Sequence, residues 1–276
     1  MKYTSIFALT LLAAVTALAQ NDLSWVSQRS GNDTFPCGIT NPCKTFQGAY
    51  AKTNSGGIIK ALDAGEYGQI LISKPIIIDG NGVGATIEAT TNLGVQVANV
   101  GPVEIRNLVI HVPASCSNCI GIDVVSPTSA TSVSIEDVSI TGAPPYGVFM
   151  AGSSPLHATI HGLTVTGASN YGIYAVGATA TISDSIIRYS TVGIQLTAVA
   201  VVTQALIERS KMIANGTGLV VQNDGATATA RISDCVITDN TTGVSTIGGG
   251  QIITFRNNTW AGNTNDGTTP FSISLK

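Results

Sequence analysis

The sequence predicts an all-β fold: a parallel β-helix, in which short strands wind into stacked coils. Three observations carry this. The pattern hydrophobic-x-polar-x-x-hydrophobic recurs at Ile105, Ile135, Ile160, Ile182, Ile207, Ile232 and Phe255, at intervals of 22 to 30 residues. A Gly-hydrophobic pair trails the first six anchors, at Gly121-Ile122, Gly147-Val148, Gly172-Ile173, Gly193-Ile194, Gly218-Leu219 and Gly243-Val244. Finally, Gly, Ser, Thr, Ala, Val and Ile dominate, and β-branched residues and glycines interrupt every long helix candidate. A period of 20 to 30 with strands in each unit is a solenoid signature. A propeller blade needs about 40 residues, and a β-sandwich has no reason to repeat in register.

The elements follow in order. Residues 1–19 read as an export signal. Lys2 gives the positive start, Ile6 to Val15 a short apolar run, and Ala17-Leu18-Ala19 a small-x-small cleavage site before Gln20. The run is too short to span a bilayer. A secreted or periplasmic protein without membrane insertion is expected. Residues 20–57 form an N-terminal cap. Trp25-Val26-Ser27 reads as a strand and Lys44 to Thr53 as a short helix, with Phe46, Ala49 and Tyr50 on one face. A solenoid end exposes apolar surface, which such a helix can cover. Residues 58–276 form the β-helix, closing on the alternating Phe271, Ile273 and Leu275.

Aligning the anchors produces columns. The anchors, and the residues five further on from Ile110 to Trp260, are apolar and face a continuous core. Eight after the anchor stand Ala143, Ala168, Ser190, Asn215, Asn240 and Asn263. Asn tolerates the left-handed conformation of a turn, and stacked Asn side chains can hydrogen-bond along a column. Cys37 and Cys43 share one loop and are expected to pair. Cys116 and Cys119 form a C-x-x-C in an insertion, read as a local disulfide, since a zinc site needs four ligands and no second pair exists. Cys235 falls on a core column, as a buried free thiol.

The N-terminal stretch carries Gly31-Asn32-Asp33, Pro36-Cys37, Pro42-Cys43-Lys44-Thr45-Phe46, Gly56-Gly57-Ile58 and Gly65-x-Tyr67-Gly68. With the coils after it, it resembles secreted bacterial right-handed parallel β-helix proteins of the pectate-lyase-like superfamily. The resemblance spans nearly the whole mature chain. It implies a single-stranded right-handed parallel β-helix with a short N-terminal capping helix, in a group rich in polysaccharide lyases and glycoside hydrolases.

Each chemistry was therefore sought in the columns. A calcium-dependent lyase needs clustered carboxylates and a base. Two after the anchor stand Asn107, Asp137, Gly162, Asp184, Arg209, Asp234 and Asn257. These acids fall on alternate coils, and Arg209 between Asp184 and Asp234 reads as a surface charge ladder. Hydrolysis needs two carboxyls facing across a cleft, and the column one after the anchor holds no adjacent acids. Its best cluster is Arg106, Glu136 and His161 on consecutive coils. There Arg could bind a uronate carboxylate while Glu or His moves a proton, and the plainer reading is an exposed ion-pair row. The second cluster is aromatic. Tyr146, Phe149, Tyr171 and Tyr174 gather on adjacent coils in a chain with 5% aromatics, with Asp123 before them and Gln195 after. Planar rings suit sugar faces, and the plainer reading is cross-coil packing.

The chain carries 13 basic against 16 acidic residues, which argues against nucleic acid. The expectation is a monomer associating with a polysaccharide or cell-surface glycan, non-catalytic or of unassigned activity. The alternatives are a lyase or hydrolase acting through Arg106, Glu136 and His161, and a structural or adhesive rod. No cofactor or metal is expected, with calcium entering only in the lyase reading.

Overall fold

The computed structural model describes residues 20–126 and 128–272. The export signal expected over residues 1–19 lies outside them, as do Ile273 and Leu275. Three sheets of 11, 9 and 9 strands run the length of the molecule. Within each sheet, neighbouring strands come from successive coils and pair in parallel, as the first sheet does from Ile78 through Ile105, Ile135, Ile160, Ile182 and Ile207 to Ile232. Each full coil contributes one strand to each sheet, and Asn21–Val26 and Phe271–Ser272 extend the first sheet at its two ends.

The core is a set of columns running along the axis. The anchors from Ile78 to Ile232 form one, fully buried. In the second sheet, Ile110, Ile140, Val165, Ile187, Met212 and Ile237 form another, closed by the partly buried Trp260. The third sheet contributes Val95, Ile122, Val148, Ile173, Ile194, Leu219 and Val244. Each such side chain contributes about 1.5–3 kcal/mol by leaving water. The Gly of each Gly-hydrophobic pair is required by close approach. A Cβ on Gly147 would lie 2.5 Å from the Gly172 carbonyl oxygen and 2.6 Å from Val165.

Two column assignments are corrected. Ile232 pairs with Thr254, not Phe255, because the last full coil carries one extra residue before Trp260. Thr254 is buried and Phe255 half-exposed. The left-handed turn also does not fall on the Asn column. It falls one residue earlier, on Tyr189 (φ 57°), Ala214 (55°) and Asp239 (59°). Asn215 and Asn240 are buried, Asn263 is partly so, and the three form a ladder. Asn215 N donates to Asn240 Oδ1 at 2.8 Å, and Asn240 N to Asn263 Oδ1 at 3.1 Å. Their amides reach back to the carbonyls of Ile187 and Met212.

A second left-handed column lies two after the anchor: Asn107, Asp137, Gly162, Asp184, Arg209, Asp234 and then Arg256, at φ between 46° and 67°. Asn, Asp and Gly suit that conformation, so the acids noted in the sequence serve a turn between the first and second sheets. Arg209 forms a two-pronged pair with Asp184, at 2.8 and 2.9 Å.

At the N-terminus, Asn21–Val26 pairs with Thr53–Ala61. The helix is shorter than expected, spanning Phe46–Tyr50, with Phe46, Ala49 and Tyr50 buried. Thr45 caps it by accepting from Gly48 N at 2.9 Å. Asp33 draws the preceding loop onto it, accepting from Lys44 N and Thr45 N at 2.8 and 2.9 Å. The helix lies along the free edge of Ile70–Ile72. There Gln47 Oε1 accepts from Leu71 N, and the Tyr50 hydroxyl accepts from Ser73 N. Cys37–Cys43 and Cys116–Cys119 are disulfides, and Cys235 is free and buried. Burial pushes the Cys235 thiol up. No helix among the described residues is long and apolar enough to cross a membrane.

Candidate functional site

Two outer faces carry the candidate residues. On the first sheet, Arg106, Glu136 and His161 stand side by side on consecutive strands. Sharing a column does not join them. Arg106 Nη2 stands 3.1 Å from Asp79 Oδ2, and Nη1 donates to Glu104. Glu136 accepts from Ser134 Oγ at 2.8 Å. His161 Nδ1 lies 3.1 Å from Ser183 Oγ and 3.3 Å from Asp184 Oδ2. Each side chain is thus engaged away from the other two.

Asp79 was missed by sequence reasoning. It follows Ile78, the anchor of the preceding coil, so extending the column one coil back would have found it. The residue is 3% exposed. Burial pushes its carboxyl up, but hydrogen bonds from Asn107 and Asn81 N and the Arg106 guanidinium outweigh that and hold it below the usual range. Burial also pulls Arg106 down, and its bonds to Asp79 and Glu104 more than reverse this. The result is a satisfied ion-pair network. Beside it runs a groove of about 250 Å³, lined by Ile77, Pro102, Glu104, Ser134 and Thr159.

No three His, Cys, Asp or Glu side chains come together to hold a metal among the described residues. Asp137, Asp184 and Asp234 are spread along a turn column, and Asp184 is held low first by its bond to Arg209.

The third sheet carries the aromatic residues. Tyr146 pairs with Tyr171 in register and Phe149 with Tyr174, and all four rings are half-buried. The three tyrosines are near-parallel, with centroids 4.8, 5.5 and 5.8 Å apart and interplanar angles of 14° to 18°. A straight stack would place its outer rings at twice the neighbour spacing, so these overlap like shingles. Phe149 tilts against Tyr146 by 56° and Tyr174 by 42°. Burial, then its neighbours Tyr174 and Tyr146, push the Tyr171 hydroxyl up.

Asp123 closes one end of this row, paired with Phe149 on one side and Gln96 on the other. It is 7% exposed, and burial pushes its carboxyl up. Oδ2 accepts from Gln96 Nε2 at 2.7 Å, while Oδ1 has no partner among the described residues. Its place beside the rings was legible in the sequence, but its missing partner was not. The insertion bearing Cys116 and Cys119 packs on Ala89 and Val112.

The family described as right handed beta helix region matches residues 118–272, and the chain belongs to it. No curated protein sequence matches the chain closely enough to count as a relative. Among solved structures, it is similar to the GH136 lacto-N-biosidase of Eubacterium ramulus, with TM-score 0.56 and 10% identity over 92% of this chain and 68% of that one. It is similar to pectate lyase Pel9A, with TM-score 0.54 and 14% identity over 91% and 79%. A rhamnogalacturonan lyase matches with TM-score 0.53 and 9% identity over 84% and 75%. Identities this low show a shared fold of pectate-lyase-like type.

Proposed function

We propose that this member of the right handed beta helix region family is an exported, monomeric protein that associates with carbohydrate through the outer face of its third sheet. The observation that carries the reading is the shingled, half-exposed cluster of Tyr146, Phe149, Tyr171 and Tyr174. Ligand sites gather aromatic surface with a few polar groups beside it, and here the polar group is Asp123. The solved structures of similar fold support the reading, because they are a lacto-N-biosidase and two lyases. The two disulfides fit an oxidising compartment. In this reading Phe46–Tyr50 is the cap of the solenoid's first edge.

The test is a glycan array probed with the wild type and with Tyr171→Ala and Tyr174→Ala. Binding that each substitution weakens by about tenfold supports the proposal. A silent array, or binding indifferent to both substitutions, refutes it.

A second reading has its own observation. The groove lined by Glu104 and Ser134 runs beside Arg106, Glu136 and His161, a place where a lyase or hydrolase could hold a chain. Release of unsaturated uronides or of new reducing ends from a polysaccharide, abolished by His161→Ala or Glu136→Ala, would establish it.

A further inference from the structure

The third sheet differs from the first in one respect that bears on its ligand. The strands of the first sheet carry Lys60, Arg106, His157, His161 and Arg231 together with Asp79, Glu104, Glu136 and Glu208. The strands of the third sheet carry no Lys, Arg or His, and their acids are Asp123 and Asp266. The surrounding turns continue the pattern. No charged residue occurs between Ala143 and Leu156, between Gly162 and Ser183, or between Ser190 and Ile207.

The aromatic face also continues into a trough. Ala151 and Val176 stand two residues beyond Phe149 and Tyr174, on the same face. With Val125, Val199 and Val201 they line an apolar cleft of about 650 Å³. Val199 is 48% exposed. Rings and trough form one continuous surface free of cations.

This surface constrains the ligand. A uronate chain brings a carboxylate on every residue, and each must keep its water or find a cation. Carboxylate recognition calls for Arg or Lys, and stripping an unpaired carboxylate of water is costly. Asp123 offers no positive charge whether protonated or ionised. An uncharged pyranose instead lays apolar C–H faces on rings and directs its hydroxyls outward. From these residues, and resting on the carbohydrate reading above, we infer that the third-sheet surface takes a neutral glycan and rejects polyuronates.

The experiment is calorimetric titration at pH 7 with two probes of equal length, cellohexaose and hexagalacturonate. The wild type is expected to bind cellohexaose at least about tenfold more tightly. Tyr174→Leu keeps apolar bulk but removes the ring, and should abolish that binding while far-UV circular dichroism stays unchanged. Ala151→Arg places a cation beside Phe149, and should raise hexagalacturonate affinity by about tenfold. Equal or tighter binding of hexagalacturonate by the wild type, lost in Tyr174→Leu, overturns this inference and leaves the carbohydrate reading standing. Binding of neither probe overturns both. So does a concentration-dependent dimer, seen by sedimentation and abolished by Tyr174→Leu, because the face would then belong to a second copy.

Discussion

Two acids, Asp63 and Asp123, show how local surroundings set opposite behaviour. At Asp63, burial pushes the carboxyl up, but bonds from the Tyr67 hydroxyl, Ser27 Oγ and the Gln28 and Arg29 amides outweigh it and bring it from 3.8 to about 2. Its folded value lies below its unfolded one. Its contribution is therefore fully present above pH 3.8 and disappears as pH falls through about 2. The carboxyl is partly open to solvent, so roughly 1 kcal/mol is at stake. Asp63→Asn should lower stability at pH 7 by about that amount and flatten the acid limb, as read by urea melts from pH 2 to 5. An unchanged acid limb would rule this out. At Asp123 the folded value lies above the unfolded one, so the sign reverses and stability is lost as pH rises through the folded value. Asp63 was not singled out in the sequence because three of its partners, Ser27, Gln28 and Arg29, come from a loop far earlier in the chain. Asp123 was placed beside the rings by counting from a glycine pair, but its orphaned oxygen depends on packing that no periodicity reports.

At the scale of the element, the laddered turns replace what a helix or hairpin would supply. Asn240 is 1% exposed, accepts from Asn215 N and Nδ2, and donates to Met212 O and Asn263 Oδ1. Asn240→Ala leaves the buried Asn215 backbone N–H without its acceptor and removes the bonds to Asn215 Nδ2, Met212 O and Asn263 Oδ1. At about 1–3 kcal/mol for the orphaned N–H and about 1 kcal/mol for an ordinary lost bond, a loss of about 2–4 kcal/mol is expected in chemical denaturation. Asn263 is less buried, and its replacement should cost less. Equal, small losses at both positions would show that water substitutes for the ladder. The ladder was visible in the sequence because Asn recurs at the period of the coil. The conformation of the turn was not, because Tyr189 and Ala214 give no sign of a left-handed backbone. The same blindness produced the Phe255 error: one extra residue at a turn is invisible until register shows which side chain points inward.

For the whole molecule, each coil touches only its neighbours, so stability is close to a sum over coils and their interfaces. The middle coils, from Ile135 to Ile207, have closed neighbours on both sides. The final strands, Thr259–Ala261, Asn265–Gly267 and Phe271–Ser272, hold mostly exposed residues. Native-state hydrogen exchange should therefore show protection highest across the central coils and declining toward Phe271. Uniform protection would instead indicate a single cooperative unit. At this scale the fold was almost wholly legible, because apolar residues at a fixed period leave few other packings. The choice between the two faces was not, because it rests on which side chains are already engaged with one another.

The asparagine ladder carries a final consequence. Asn215 and Asn240 each send their amide toward the next coil, and the run ends at Asn263, whose Nδ2 donates to the Asp266 carboxylate at 3.2 Å. The amide dipoles thus point the same way along the axis, reinforce one another, and finish against a negative group. The stack of coils therefore has a direction along its axis, marked at its last Asn by a carboxylate.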